Sequence, residues 1–137
     1  TGFTRHASEI AKQQVAEMDR HEAAMEAMMQ DAEDGWRVLT NPNRPIGDFF
    51  HMIDEAWGIK RKLSPAITDE RIDGIYGKIM KAGAIAAKLV GAGGGGFFLV
   101  AVEPERREGF LRAFEGRVWF PVRFASEGSR VIFQNDG

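Results

Sequence analysis

An α+β fold, with helices gathered on one face of a small, mainly antiparallel sheet, is predicted by three features of this sequence. Apolar residues recur at helical spacing through the first half of the chain, and strand-like apolar runs are confined to the second half. The resulting order is three helices, strand, helix, strand, strand. The length of 137 residues fits one domain around a single core.

The first helix is expected from about Arg5 to Ala32, a stretch free of Gly and Pro and rich in Ala, Glu, Gln, Met and Lys. Ala11, Val15, Met18, Met25 and Met29 fall near one face, so the methionine-rich stripe reads as adaptable core packing. Asp34-Gly35 is expected to end or bend this helix. A turn follows at Asn41-Pro42-Asn43-Arg44-Pro45. Ile46, Phe49, Phe50, Ile53 and Trp57 then mark a second amphipathic helix, broken by Ser64-Pro65. Thr68 is expected to cap a third helix, whose apolar face carries Ile72, Ile75, Tyr76 and Ile79. After a run of glycines, Phe97 to Val102 is unbroken and apolar, as a strand buried on both faces would be. Glu103-Pro104 opens a short helix that turns Phe110, Leu111 and Phe114 inward. Val118, Phe120, Val122 and Phe124 alternate with Trp119, Pro121 and Arg123, the period of a half-buried strand, and Pro121 places it at an edge. A turn at Ser126-Glu127-Gly128 leads into a last strand, Arg130 to Phe133.

Composition narrows the functional classes. The net charge is −2 with no block of like charges, so neither nucleic acid nor an anionic membrane is an expected partner. Cysteine is absent, which removes thiol chemistry and suits a reducing, cytoplasmic setting. No apolar stretch approaches the roughly 20 residues that span a bilayer. The chain begins at Thr1 rather than methionine, and it is expected to be part of a longer protein.

The stretch KLVGAGGGGFF is the most informative, because five of the six residues from Gly91 to Gly96 are glycine. A flexible linker is one reading, but the residues that follow are too few for a second core. A phosphate-binding P-loop needs GxxxxGK[ST] between a strand and a helix, whereas here the expected order is helix, loop, strand. GxGxxG matches Gly91, Gly93 and Gly96, yet a glycine run matches almost any glycine pattern. A plain corner would not require five glycines, each costing roughly 0.5–1 kcal/mol in ordering entropy relative to Ala. The favoured reading is a close-approach loop, in which Gly91, Ala92, Gly93, Gly94, Gly95 and Gly96 bring bare backbone against a ligand or another loop.

At these residues the sequence resembles a known superfamily. GAIAAKLVGAGGGGFFLV, Gly83 to Val100, is similar to the third motif of the galactokinase, homoserine kinase, mevalonate kinase and phosphomevalonate kinase (GHMP) superfamily. TRHASEI, EAWGIKRKLSPAITDERIDGIY and VRFASEGSRVIF resemble, in the same order, segments of bacterial heptose 7-phosphate kinases. A departure is Asp54, where those relatives often carry His, which bears on substrate identity. The resemblance implies that residues 1–137 form a ferredoxin-like α+β C-terminal domain whose glycine loop closes an active site. It also implies that ATP is cradled by a PxxxGLGSSA-like motif in an N-terminal domain, with Mg²⁺ bridging phosphates. No such motif occurs in these 137 residues. The expected cofactors of the whole enzyme are therefore ATP and Mg²⁺, with none tightly bound to this chain. The expected partners are the N-terminal kinase domain and a sugar-phosphate substrate, and exposed surface can favour self-association. A different class also fits the loop, namely a non-catalytic ligand-binding or regulatory module that grips an anion.

Individual side chains carry weaker signals. Lys88 can place a cation near a phosphate, or be a solvated lysine at a helix end. In the cluster Lys60-Arg61-Lys62, Arg61 is the candidate for substrate phosphate, against simple complementarity to a helix dipole. Arg130 can contact phosphate or make a salt bridge. His51 reads as an ordinary surface or packing residue, and His6 and His21 do not make a metal pair. Trp36, Trp57 and Trp119 read as core or interface anchors.

Overall fold

The computed structural model describes residues 7–17, 21–125 and 128. Their order is α1 (Ala7–Glu17), α2 (Glu22–Thr40), α3 (Ile46–Lys60), α4 (Glu70–Lys81), β1 (Ala86–Leu89), β2 (Phe98–Ala101), a 3₁₀ turn (Pro104–Arg106) and α5 (Arg107–Ala113). The fold is α+β, with helices packed on a small antiparallel sheet.

The single long first helix of the sequence reading is instead two helices, with His21 outside the helical region at the start of α2. The stripe is also rotated. Ile10, Met25 and Met28 face the core, whereas Val15 and Met29 point to solvent. Gly35 does not end α2, which runs on to Thr40. A Cβ at Gly35 would stand 3.5 Å from the Phe49 ring, an ordinary van der Waals contact, so this buried helical position packs on α3 without requiring glycine. The Asn41–Pro45 turn forms as expected. Its Asn41 carboxamide oxygen accepts from the Asn43 N–H at 2.9 Å, and Pro45 leads into α3.

The cap of α4 is Asp69 rather than Thr68. Its carboxylate accepts from the N–H groups of Arg71 and Ile72, both at 3.0 Å, which requires the residue immediately before the first turn. The Thr68 hydroxyl donates to Asp73 instead, at 2.6 Å. Gly83 terminates α4 at φ 97°, with its N–H donating to Met80 O and the Ala84 N–H to Ile79 O, a Schellman closure.

Residues 86–89, expected at a helix end, form β1. They pair antiparallel with β2, with Ala86 opposite Ala101 and Leu89 opposite Phe98. The glycine loop thus connects two strands of a hairpin, not a helix to a strand. β2 is half-buried along its whole length rather than enclosed on both faces. Residues 118–124 form no strand. Val118, Phe120, Val122 and Phe124 are exposed, although Phe120 meets Phe97 edge-on and Trp119 meets Phe110 and Phe114. Alternation marks a face that wants cover, but a strand also needs an edge to pair with. The expected last strand, Arg130 to Phe133, lies outside the described residues.

The main core joins Ile10, Trp57, Leu63, Ile67, Ile72 and Leu89, with fully buried Trp57 edge-on to Phe98 at 6.2 Å. A second cluster places Ile79 and Ala87 against Phe110, with Phe114 beside them and Leu111 half-buried. Trp36 is exposed and anchors nothing in this core. No described helix is long and apolar enough to cross a membrane.

The loop is held against the core at Ile67. Gly94 N–H donates to Ile67 O at 2.8 Å, and a Cβ on Gly93 would lie 2.7 Å from the Ile67 Cα. Gly93 has φ 115° as well, so it combines a conformation and a contact that both exclude a side chain. Gly91 has φ 87° but open space around it. Gly93→Ala should therefore destabilise the fold by about 3 kcal/mol or more and Gly91→Ala by only about 1–2 kcal/mol, as read by urea denaturation. Equal effects would show that the contact with Ile67 is not a constraint.

Candidate functional site

The site is built where the end of α3, the turn before α4 and the glycine loop converge. From Gly91 to Gly96 every glycine has positive φ. Gly93 and Gly94 are buried against Ile67, Gly95 and Gly96 are half-buried, and Gly91 is exposed. One side of the loop is therefore occupied by the protein's own backbone, and its Gly91 end is open.

One lysine reaches that end, and a second lies within range of its charge. Lys60, the last residue of α3, donates its ammonium to Gly91 O at 2.5 Å. Lys88 lies on β1 rather than at a helix end, close enough for its charge to act on Lys60. Burial first, and Lys88 second, push the Lys60 ammonium below its ordinary value of 10.5. No carboxylate among the described residues pairs with either lysine.

Arg61 is differently placed from its neighbour. Its guanidinium pairs with Asp73 at 2.7 Å and lies 5.6 Å above the Tyr76 ring. Asp73 also accepts from Thr68, so this cation is already committed to a local network. Lys62 is exposed. Arg130 lies outside the described residues, as does His6. His51 is an exposed residue of α3 and His21 precedes α2. Among the described residues no group of three or more His, Asp or Glu could hold a metal ion.

Beneath the site, Asp54 accepts from the Tyr76 hydroxyl at 3.0 Å and from the Ala87 N–H at 3.0 Å. This one carboxylate ties α3 to α4 and β1. Burial, then the hydrogen bond and charge of Asp54, raise the Tyr76 phenol above its ordinary value of 10.0, while Arg61 opposes them. The sequence reading missed the roles of Lys60, Asp54, Ile67 and Asp73. The partners of Lys60, Asp54 and Ile67 lie more than 20 residues away along the chain, and those of Asp73, though nearer, are not at a helical repeat, so no local spacing points to them.

Apolar surface flanks the loop. Phe97 and Phe120 are 54% and 67% exposed, and Val90 is also exposed. A hollow of about 570 Å³ lies between β2, α4 and residues 113–122, with walls that include Ile75, Phe98, Val100, Phe114 and Trp119. None of Lys60, Arg61 or Lys88 lines it, so the cationic end of the loop and the apolar hollow are separate features.

A helical α+β layer carrying a hairpin with a glycine-rich connection is a recognisable arrangement, and residues 20–119 match the family described as GHMP kinases C terminal. The chain belongs to that family. Among individual proteins it is similar to the D-glycero-alpha-D-manno-heptose 7-phosphate kinase of Campylobacter jejuni subsp. jejuni serotype O:2, with 26% identity over 115 residues. That alignment covers 82% of this chain and 33% of the relative, so the chain spans about a third of the relative's length.

Two measurements test this geometry. Asp54→Ala should destabilise the fold by about 2–3 kcal/mol in urea denaturation, because it orphans the buried Ala87 N–H, whereas Asp54→Asn, which keeps an acceptor, should cost about 1 kcal/mol. Folding lowers the pKa of Lys60, so the folded state sheds this proton first and stability rises with pH on approaching 10.5. Lys60→Met should accordingly be more stable than the wild type at pH 7, with the gain shrinking as the pH is raised. A wild type more stable than the variant at pH 7 would reverse the sign of this argument.

Proposed function

We propose that residues 1–137 are the C-terminal domain of an ATP-dependent sugar-phosphate kinase of the heptose 7-phosphate type, and that the glycine loop closes one side of its active site. The observation that carries this reading is the loop itself: it is pinned to Ile67 on one side and open at Gly91, where Lys60 reaches it with Lys88 in range of its charge and no carboxylate among the described residues pairs with either lysine. The similarity to a heptose 7-phosphate kinase supports the substrate class.

In the reaction a sugar hydroxyl oxygen bonds to the γ-phosphorus of ATP as the bond to the β–γ bridging oxygen breaks, giving a phosphorylated sugar, ADP and the hydroxyl's proton, which is released to solvent. ATP supplies the phosphoryl group, and Mg²⁺ offsets its charge. Such transfers depend mainly on positioning and charge stabilisation. The described residues fit a phosphate group, through Lys60, Lys88 and bare backbone, but they do not supply a cluster for the metal. Nucleotide and metal would be held by the part of the protein that corresponds to the rest of the relative. In this reading Lys88 and Gly91 to Gly96 contact phosphate and exclude water, while Arg61 supports the loop region through Asp73 and Tyr76. The exposed strip of Val90, Phe97 and Phe120 would lie against the N-terminal domain.

The test is a phosphorylation assay of the full-length protein with heptose 7-phosphate, fucose and galactose. ATP-dependent phosphorylation of heptose 7-phosphate is expected from the full-length protein, and none from residues 1–137 alone. Turnover by the 137-residue chain would overturn the two-part reading. Phosphate binding without turnover by the full-length protein would favour an anion-gripping module instead.

A further inference from the structure

The basic cluster at the end of α3 divides by environment. Arg61 is neutralised by Asp73 and Lys62 faces solvent, which leaves Lys60 as the member directed at the glycine loop. Its ammonium does not cap the carbonyls of its own helix. The carbonyls of Trp57 and Ile59 at the helix end already accept from the backbone N–H groups of Arg61 and Lys62. The Lys60 ammonium reaches instead across the chain to Gly91 O.

We propose that Lys60 and Lys88 form, with the open Gly91 end of the loop, a two-lysine seat for a phosphate group. An ammonium has three donors, and Gly91 O uses one of those on Lys60, leaving two for a ligand. Lys88 is fixed by the strand that enters the loop, and Lys60 by the last turn of a helix packed on that strand. The two cations repel each other without relief from any described carboxylate. A dianion placed between them would remove that repulsion, and lysine suits phosphate as a compact charge. Burial and Lys88 together disfavour the charged form of Lys60, so this arrangement costs stability in the absence of an anion.

The proposal deepens the kinase reading and rests on it only for the owner of the phosphate, which is either the sugar phosphate or the terminal phosphate of the nucleotide. The test is a titration of the 137-residue chain with inorganic phosphate, followed by NMR of the lysine side chains and the glycine amides. Phosphate should shift the resonances of Lys60, Lys88 and Gly91, and Lys60→Met should weaken binding by about tenfold, equivalent to about 1.4 kcal/mol. Lys60→Arg should restore part of the loss, which separates a charge effect from a change in packing. Competition by a sugar phosphate or by ADP then identifies which phosphate occupies the seat. Wild-type resonances unmoved by phosphate, or a folded Lys60→Met chain that binds phosphate as well as the wild type, would overturn the proposal. Phosphate binding at the lysines in a protein without sugar kinase activity would remove the kinase reading and leave the seat standing; turnover with lysines blind to phosphate would do the reverse.

Discussion

The contact between Gly93 and Ile67 is the constraint on which the site depends. Here two stretches of main chain pass so closely that even a methyl group has no room, and the Gly94 N–H closes the contact on Ile67 O. Ile67 is itself buried in the main core beside Trp57 and Leu89. A loop of five glycines, which would otherwise sample many conformations, is thereby referenced to the buried core. The flanking strands hold its two ends, with the Val90 N–H donating to Phe97 O at 2.9 Å. Flexible composition and defined position coexist because the restraint comes from outside the loop.

A second tie sets the platform below. Asp54 is half-buried, and its oxygens serve the Tyr76 hydroxyl and the Ala87 main chain together. Removing water from a carboxylate is costly unless its lone pairs are used, and here they are used by groups from two other elements. The result fixes α3, α4 and β1 relative to one another, and with them the origins of Lys60, Arg61 and Lys88. Asp54 therefore serves packing in this structure, whereas the sequence had pointed to it as a departure bearing on substrate.

Much of the architecture was legible from local chemistry. The apolar face of α3 and that of α4 follow helical spacing, and the Pro-rich turn before α3 is readable from Asn41 to Pro45. The glycine loop was expected to press bare backbone on a ligand or another loop; the close approach the structure shows is to the main chain of Ile67. Other features were not. β1 escaped notice because four residues of Ala, Lys and Leu carry no distinctive period; the Gly83 stop before them was the available signal. The alternation at residues 118–124 is real in the sequence, but no described strand offers those residues an edge.

What the sequence by itself determined is the helical platform, the presence of a side-chain-free loop and the family of the chain, since these rest on periodicity, glycine content and contiguous motifs. Only the tertiary structure decided which cation faces that loop. Lys60 and Arg61 are adjacent and chemically alike, yet one reaches Gly91 and the other is bound to Asp73. Neighbouring residues on a helix point about 100° apart, so their environments are set by whatever packs on each face, and those partners come from distant parts of the chain.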